Sequence, residues 1–208
     1  MTGPTVGTHN THDYAGRVTL FADLIGYTEA IPVKVRERLA LARRGYRVRV
    51  CRRQRDLVFV ARRKVLRITR TRYVPVHEGR AQVTPHRGTF VIEGRRRDTR
   101  RRVAILLPHR INAAHPPYVR GEAVFRSKRW HAHREVDDLL IEDYRDRGWD
   151  VIALGDVNTP PDVVGFPALA WEVGRGFDRI ASNVDLVDVE YLGHAGSDHP
   201  RLRARLAH

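Results

Sequence analysis

Apolar residues occur along this chain mostly in short runs, broken by glycine, proline and charged residues. That is the pattern of buried β-strands. Thr5 to His12, Val18 to Phe21 and Leu24 to Tyr27 open the series. Leu57 to Ala61, Val65 to Tyr73, Gly88 to Ile92 and Val103 to Leu107 continue it. Val151 to Leu154, Leu169 to Val173, Phe177 to Ser182, Leu186 to Leu192 and the alternating Leu202, Ala204 and Leu206 complete it. Tyr46, Val48 and Val50 alternate with Arg47 and Arg49, which predicts a strand with one buried and one wet face. Two stretches carry helical spacing instead. One is Pro32 to Arg44, with Val33, Val35, Leu39 and Leu41 apolar and Gly45 as a stop. The other is Gly121 to Arg147, with Val124, Leu139, Leu140 and Tyr144 expected to face the core and Gly148 ending the helix.

Strands outnumber helices, and there is no linker, low-complexity segment or internal repeat. The expectation is a single α+β domain over 1–208, a two-layer β-sandwich flanked by helices.

One stretch stands out for chemistry. Asp150 to Pro161 is a buried strand that ends in Gly155-Asp156-Val157-Asn158 before two prolines. Asp156 and Asn158 lie two residues apart, so on a continuing strand they share a side. An acid and an amide delivered together at a strand's carboxyl end are parts of a site. They are also the residues of an Asx turn.

Charge adds a partner class. The 38 Lys+Arg against 24 Asp+Glu give a formal charge of +14, and lysine occurs only at Lys34, Lys64 and Lys128. Arginine suits bidentate contact with phosphate, and this excess points to a polyanion, nucleic acid first. Arg95, Arg96, Arg97, Arg100, Arg101 and Arg102 cluster at a hairpin between two predicted strands and are the expected nucleic-acid contacts. Lys128 to Arg134 mixes cations with Trp130, which either stacks on a base or joins the core. Cys51 is the only cysteine, which excludes an intrachain disulfide and a cysteine-based zinc site. No apolar run approaches the roughly 18 residues of a membrane span, and no signal-peptide pattern is present. The protein is expected to be cytoplasmic, without membrane attachment, and monomeric.

Several other strands also end in polar residues. Asn10, Glu29, His109, Asp156, Asn158, Asp178, Asp198 and His199 all follow apolar segments. Hard cations such as Mg2+ take carboxylate and amide oxygens, and Glu29 and Asp198 are the expected direct ligands. A histidine beside a carboxylate has a set tautomer and can stabilise developing charge. Metal ligands, a water-activating acid and a charge stabiliser are the parts of metal-assisted phosphoester hydrolysis.

With these segments in view, the chain resembles the endonuclease/exonuclease/phosphatase superfamily, which includes deoxyribonuclease I-like and exonuclease III-like nucleases. Gly155-Asp156-Val157-Asn158 looks like its Gly-Asp-x-Asn motif and Gly196-Ser197-Asp198-His199 like its terminal Ser-Asp-His motif. Asp23 to Glu29 looks like the segment ending in the metal-binding Glu, with Thr28 where Gln is usual. Thr8-His9-Asn10 looks like the first strand with its Asn, with His9 in place of an aromatic. Phe177-Asp178-Arg179-Ile180 looks like the segment whose Asp pairs with the terminal His, and Pro108-His109 falls where the family has a His or Tyr near the phosphate.

The resemblance implies a four-layer α/β/β/α architecture of the deoxyribonuclease I type. It implies that Glu29, assisted by Asn10 and Asp198, binds Mg2+, with Mn2+ able to substitute. By the same resemblance Asp156 activates water, Asn158 positions it or the phosphate, Asp178 orients His199, His199 stabilises the phosphorane, and His109 contacts phosphate or the leaving oxygen. The function implied is a Mg2+-dependent nuclease cleaving DNA phosphodiesters, with double-stranded DNA as partner. The alternatives are a phosphoesterase of small-molecule or lipid phosphates, and a nucleic-acid-binding protein that has lost activity.

Overall fold

The structure, a computed structural model, describes residues 3–11, 19–31, 34, 35, 37, 40, 45–77, 86–111, 122–158, 164–175, 177–195, 197 and 199–207, with the backbone alone over 122–127 and at 175. In chain order its elements are β1 (Thr5–Asn10), β2 (Leu24–Thr28), β3 (Tyr46–Val50), β4 (Val58–Arg62), β5 (Leu66–His77), β6 (Arg87–Arg96), β7 (Arg102–Pro108), the helix α1 (Glu122–Asp146), β8 (Asp150–Asp156), β9 (Trp171–Arg175), β10 (Asp178–Ser182), β11 (Leu186–Tyr191) and β12 (Leu202–Leu206). They form two six-stranded sheets, ordered β11-β12-β1-β2-β4-β3 and β5-β6-β7-β8-β10-β9. Both are mixed: β1 and β2 run parallel, as do β7 and β8, and the remaining pairs are antiparallel.

The central strands are apolar without interruption because both of their faces are buried. Leu24, Phe59, Ile105, Leu107, Ile152 and Leu154 point into one cluster between the sheets. Their neighbours Ile25, Tyr27, Val58 and Val60 form a second cluster on the outer face of the first sheet. Ala104, Leu106, Val151 and Ala153 form a third on the outer face of the second sheet, under α1. Successive residues alternate between these clusters, as the two-residue period of a strand requires. Gly26 marks a close approach of the sheets: a Cβ there would fall 2.1 Å from a methyl of Leu154 and 2.7 Å from one of Leu107.

The outer layers differ in how fully they are described. Helix α1 spans the expected segment, and Leu140 and Tyr144 face the core as expected, but Leu139 does not. Leu139 is 66% exposed. The buried residues are Trp130, His133, Asp137, Ile141 and Tyr144, spaced three and four apart. Two of the five are polar, so the hydrophobic stripe is broken and Leu139 took its place in the sequence-based reading. The side chain of Val124 lies outside the described residues. On the opposite face, Lys34, Val35, Glu37 and Ala40 are helical and Val35 packs onto Ile25 and Tyr27; the rest of 32–44 lies outside the described residues. Among the described residues, no helix is long and apolar enough to cross a membrane.

Candidate functional site

Strand polarity collects the singled-out residues at one end of the sandwich. Because β1 and β2 are parallel, Asn10 lies beside Thr28 and the chain then enters Glu29. Because β7 and β8 are parallel, both of their carboxyl ends come to the same rim, and a bridge joins His109 to Asp156. Strand β10 is antiparallel to β8, so it begins at this rim, with Asp178 opposite Asp156. Strand β12 is antiparallel to β1, which brings Ser197 and His199, just before it, to the same end.

Local backbone explains the Gly-Asp-x-Asn pattern. Gly155 has φ +153°, and a Cβ there would meet the Pro108 carbonyl oxygen at 2.5 Å. Only glycine lets β8 pass this point in register. Asn158 has φ +46°, a left-handed conformation that asparagine tolerates. Its backbone N–H donates to Asp156 Oδ1 at 2.9 Å, so the Asx turn is formed. Turn and site coexist here, because the other carboxylate oxygen, Oδ2, accepts a 2.7 Å bond from Asn10 Nδ2. Asn158 Nδ2 donates to the Arg110 carbonyl at 2.8 Å.

Glu29 has φ +53°. A non-glycine residue there costs about 1–3 kcal/mol, and such strain concentrates at functional positions. Two bonds hold it: Thr11 Oγ1 donates to the Glu29 carbonyl at 2.5 Å, and the Ala30 N–H donates to the Asp56 carbonyl at 3.1 Å. Glu29 Oε1 lies 3.5 Å from His109 Nε2, and Asp156 Oδ2 lies 3.9 Å from the same nitrogen.

Two Asp–His pairs complete the rim. His199 Nδ1 lies 2.6 Å from Asp178 Oδ2, and His109 Nδ1 lies 3.3 Å from Asp56 Oδ2. Each carboxylate makes Nδ1 the protonated nitrogen and turns Nε2 outward. Burial pushes the Asp178 carboxyl above its ordinary value, against the pull of its bond with His199. Burial would raise Asp56 too, but the bond from His109 and the charge of Arg87 outweigh it and hold it below the usual carboxylate range. Ser197 has a fastening part: its Oγ donates to the Asn10 carbonyl at 2.8 Å and accepts from the His199 N–H at 3.0 Å.

Asp56 escaped sequence reading because it sits in the β3–β4 turn among arginines, with no apolar run before it. Arg110 escaped it too, because a cation just past a strand end reads as solvated, yet it is fully buried. Its Nε and Nη2 donate to Asp137 Oδ2 at 2.9 and 2.8 Å, and Nη1 donates to the Gly165 carbonyl at 2.9 Å. Asp137 Oδ1 accepts a 2.5 Å bond from Thr89 Oγ1, which lies 3.0 Å from His133 Nε2. Burial keeps His133 well below its ordinary pKa and raises Asp137 against the pull of Arg110. This network anchors the carbonyl that Asn158 grips. Trp130 belongs to it as core: its Nε1 donates to the Val157 carbonyl at 2.8 Å, and its ring lies 5.5 Å from the Arg110 guanidinium carbon.

The structure does not bring the arginine hairpin to this rim. Residues 95–102 join β6 to β7 at the end where β8 begins, and β8 is 7 residues long. At about 3.3 Å per residue, that places the tip roughly 20 Å from Asp156. Arg96 is 2% exposed, with Nη2 2.7 Å from Asp98 and Nη1 3.5 Å from Asp150. Arg101 Nη2 lies 2.8 Å from Asp150. Arg95 Nη1 donates to the Arg100 carbonyl at 3.0 Å. The expectation that all six arginines are free for phosphate therefore needs correction at Arg96, which is part of a buried ion cluster. Arg97, Arg100 and Arg102 are exposed.

Among the described residues, no three His, Cys, Asp or Glu side chains are grouped to hold a metal by themselves. Asp198, an expected ligand, lies outside the described residues. The donors that are present are of the right kind: the Asn10 amide bonds Asp156, the Glu29 carboxylate and Asp156 both lie near His109 Nε2, and oxygen donors suit a hard divalent cation.

No protein-family model and no curated protein sequence matches the chain. Solved structures do. An endonuclease/exonuclease/phosphatase family protein from Bacteroides thetaiotaomicron superposes with a TM-score of 0.69 at 13% identity, covering 99% of this chain and 95% of that one. A mannosyl-6-phosphatase from Bacteroides thetaiotaomicron superposes with a TM-score of 0.70 at 13% identity, covering 99% of this chain and 100% of that one. D. rerio TDP2, solved with a single-strand DNA product, superposes with a TM-score of 0.68 at 13% identity over 100% of both chains. Across its whole length, the chain has the fold of the endonuclease/exonuclease/phosphatase family.

Proposed function

We propose that the protein is a divalent-metal-dependent phosphodiesterase acting on DNA. The observation that carries this reading is the convergence, on one rim, of Glu29, the Asn10–Asp156 pair and two histidines each backed by an aspartate. Glu29, Asn10 and Asp198 would hold Mg2+, or Mn2+ in its place; when bound, the ion supplies positive charge to the phosphoryl oxygens. Asp156, fixed by Asn10 and the Asn158 N–H, accepts the proton of the attacking water. Asn158 keeps that carboxylate and the Arg110 carbonyl in place. His199, oriented by Asp178 through Nδ1–H, would as the imidazolium donate its Nε2–H to the charge that builds on the phosphorane. His109, held by Asp56 and facing Glu29, contacts the phosphate or protonates the leaving oxygen. The formal charge of +14 favours nucleic acid over a neutral-headed substrate.

Incubation with supercoiled plasmid, linear duplex, single strands, abasic duplex and mannose 6-phosphate, each with Mg2+ or EDTA, tests this reading. DNA cleavage that requires Mg2+ supports it. Release of phosphate from the sugar ester with intact DNA would replace it with a small-molecule phosphatase. Salt-sensitive binding of DNA with no hydrolysis in Mg2+ or Mn2+ would leave a binding protein.

A further inference from the structure

Away from the rim, a groove of about 1130 Å3 runs along the open side of the sandwich, between the edge strands β3 and β5. One wall is Arg49, Arg52, Arg53 and Arg55, from β3 and the turn after it; the other is Arg72 and Tyr73 from β5. Tyr73 Oη donates to Gln54 Oε1 at 3.2 Å across the groove and ties the walls together. Arg72 is committed to Glu93, 3.6 Å away, and to the Tyr144 hydroxyl at 3.1 Å. Arg52, Arg53 and Arg55 are exposed, and among the described residues none of them has an ion-pair partner.

This turn leads straight into the site. The residue after Arg55 is Asp56, which holds His109, and Arg87 Nη1 lies 3.8 Å from the same Asp56 carboxylate. Three unpaired guanidinium groups within one turn repel one another, and a groove concentrates their field on an anion that enters it. The groove exceeds the roughly 300–1,000 Å3 of small-molecule pockets, and its arginines stand beside Val48, Val50 and Phe90. Stacked sheets lie about 10 Å apart. Side chains fill that gap, and one direct bond, Tyr73 Oη to Gln54 Oε1 at 3.2 Å, joins the two walls, so the cleft left between them fits one backbone rather than a duplex.

We propose that this groove carries the single-stranded continuation of a nucleic-acid substrate whose scissile phosphate lies at Asp156 and His199, with Arg52, Arg53 and Arg55 each neutralising one backbone phosphate. The inference rests on the phosphodiesterase reading and narrows it from duplex to strand. DNA and RNA share this backbone chemistry, so both are assayed.

The experiment is fluorescence anisotropy of the full chain in EDTA, titrated across NaCl concentrations. The probes are labelled single strands of DNA and RNA of about 12 nucleotides, within the ~4–16 that a strand-binding groove covers, and the matching DNA duplex. Single strands are expected to bind more tightly than the duplex. In Arg52→Ala/Arg53→Ala/Arg55→Ala, the slope of log affinity against log salt is expected to fall by about 2, at about 0.7 per lost phosphate contact. The corresponding triple Lys variant retains the slope. Should the Ala triple melt early, Arg53→Ala alone, with an expected loss of about 0.7, carries the same test. An unchanged slope in a folded variant, or tighter duplex binding, overturns the groove. The outcomes are separable from the parent reading. Strands bound through these arginines but left uncut in Mg2+ would remove the nuclease and keep the groove; strands cut with an unchanged slope would do the reverse.

Discussion

Asn10 donates its amide N–H to Asp156 at 2.7 Å across 146 residues of sequence, and this bond joins the two sheets at the rim where the site lies. It presents Asp156 as an acceptor with one oxygen committed to the Asn158 N–H and the other to Asn10. Asp156→Asn keeps one acceptor oxygen, enough for the Asn158 N–H, but sets an NH2 group against the Asn10 amide and removes the carboxylate. It is expected to lower Mg2+-dependent hydrolysis by about 10²–10⁴-fold while the circular dichroism spectrum stays native. Activity within tenfold of wild type would take Asp156 out of the proposed chemistry.

The Asp56–His109 pair makes a separate prediction. Asp56→Asn leaves the His109 ring in place with an uncharged partner. Turnover should fall by about 10–100-fold while KM stays within a few-fold, because the ring loses the partner that orients it. If kcat is unchanged in a variant that folds, Asp56 has a structural part only.

Arg96 is expected to act on stability rather than on binding. Arg96→Ala leaves Asp150, 1% exposed, with Arg101 as its remaining cation. Loss of one partner from a buried pair costs about 3–5 kcal/mol, to be read as a shift of the urea midpoint at unchanged slope. A variant that is fully stable but binds nucleic acid poorly would return Arg96 to a phosphate-contacting part.

Asp138 on α1 gives the pH prediction. Its Oδ1 is buried without a hydrogen-bond partner among the described residues, and burial pushes its pKa up to about 6. The unfolded value is about 3.9. Between about 4 and 6 the folded chain keeps a proton that the unfolded chain releases, so this group's contribution to stability falls as pH rises through that window. Asp138→Asn should raise the melting temperature at pH 7 and flatten its pH dependence between about 4 and 6. An unchanged melting curve at pH 7 would contradict the burial of this carboxyl.

Much of the architecture was legible because the central strands bury both faces. Val103 to Leu107 and Val151 to Leu154 could hardly be anything but interior strands, and Gly148 and Gly155 set their surroundings. The helix was located to within a residue at either end, yet its face was misread at Leu139. A stripe containing His133 and Asp137 does not look hydrophobic, and only the contacts with Arg110 and Thr89 make those positions interior.

The candidate site divides along the same line. Local chemistry alone showed that Gly155 breaks the apolar run, that Asp156 and Asn158 follow it two residues apart, and that polar residues end the apolar strands, because each is read from neighbouring positions; that Gly155 must be glycine was decided by the Pro108 carbonyl of the next strand. Which of those strand ends meet was a matter of strand polarity and sheet order. Parallel β1 and β2, parallel β7 and β8 and antiparallel β10 put Asn10, Glu29, His109, Asp156 and Asp178 on one rim. The same topology sent the arginine hairpin to the opposite end and gave Asp56 a histidine to hold. Charge composition raised the expectation of an anionic partner but could not say which arginines are open to one, since a guanidinium buried against Asp150 and one exposed beside Asp56 look alike until the chain folds.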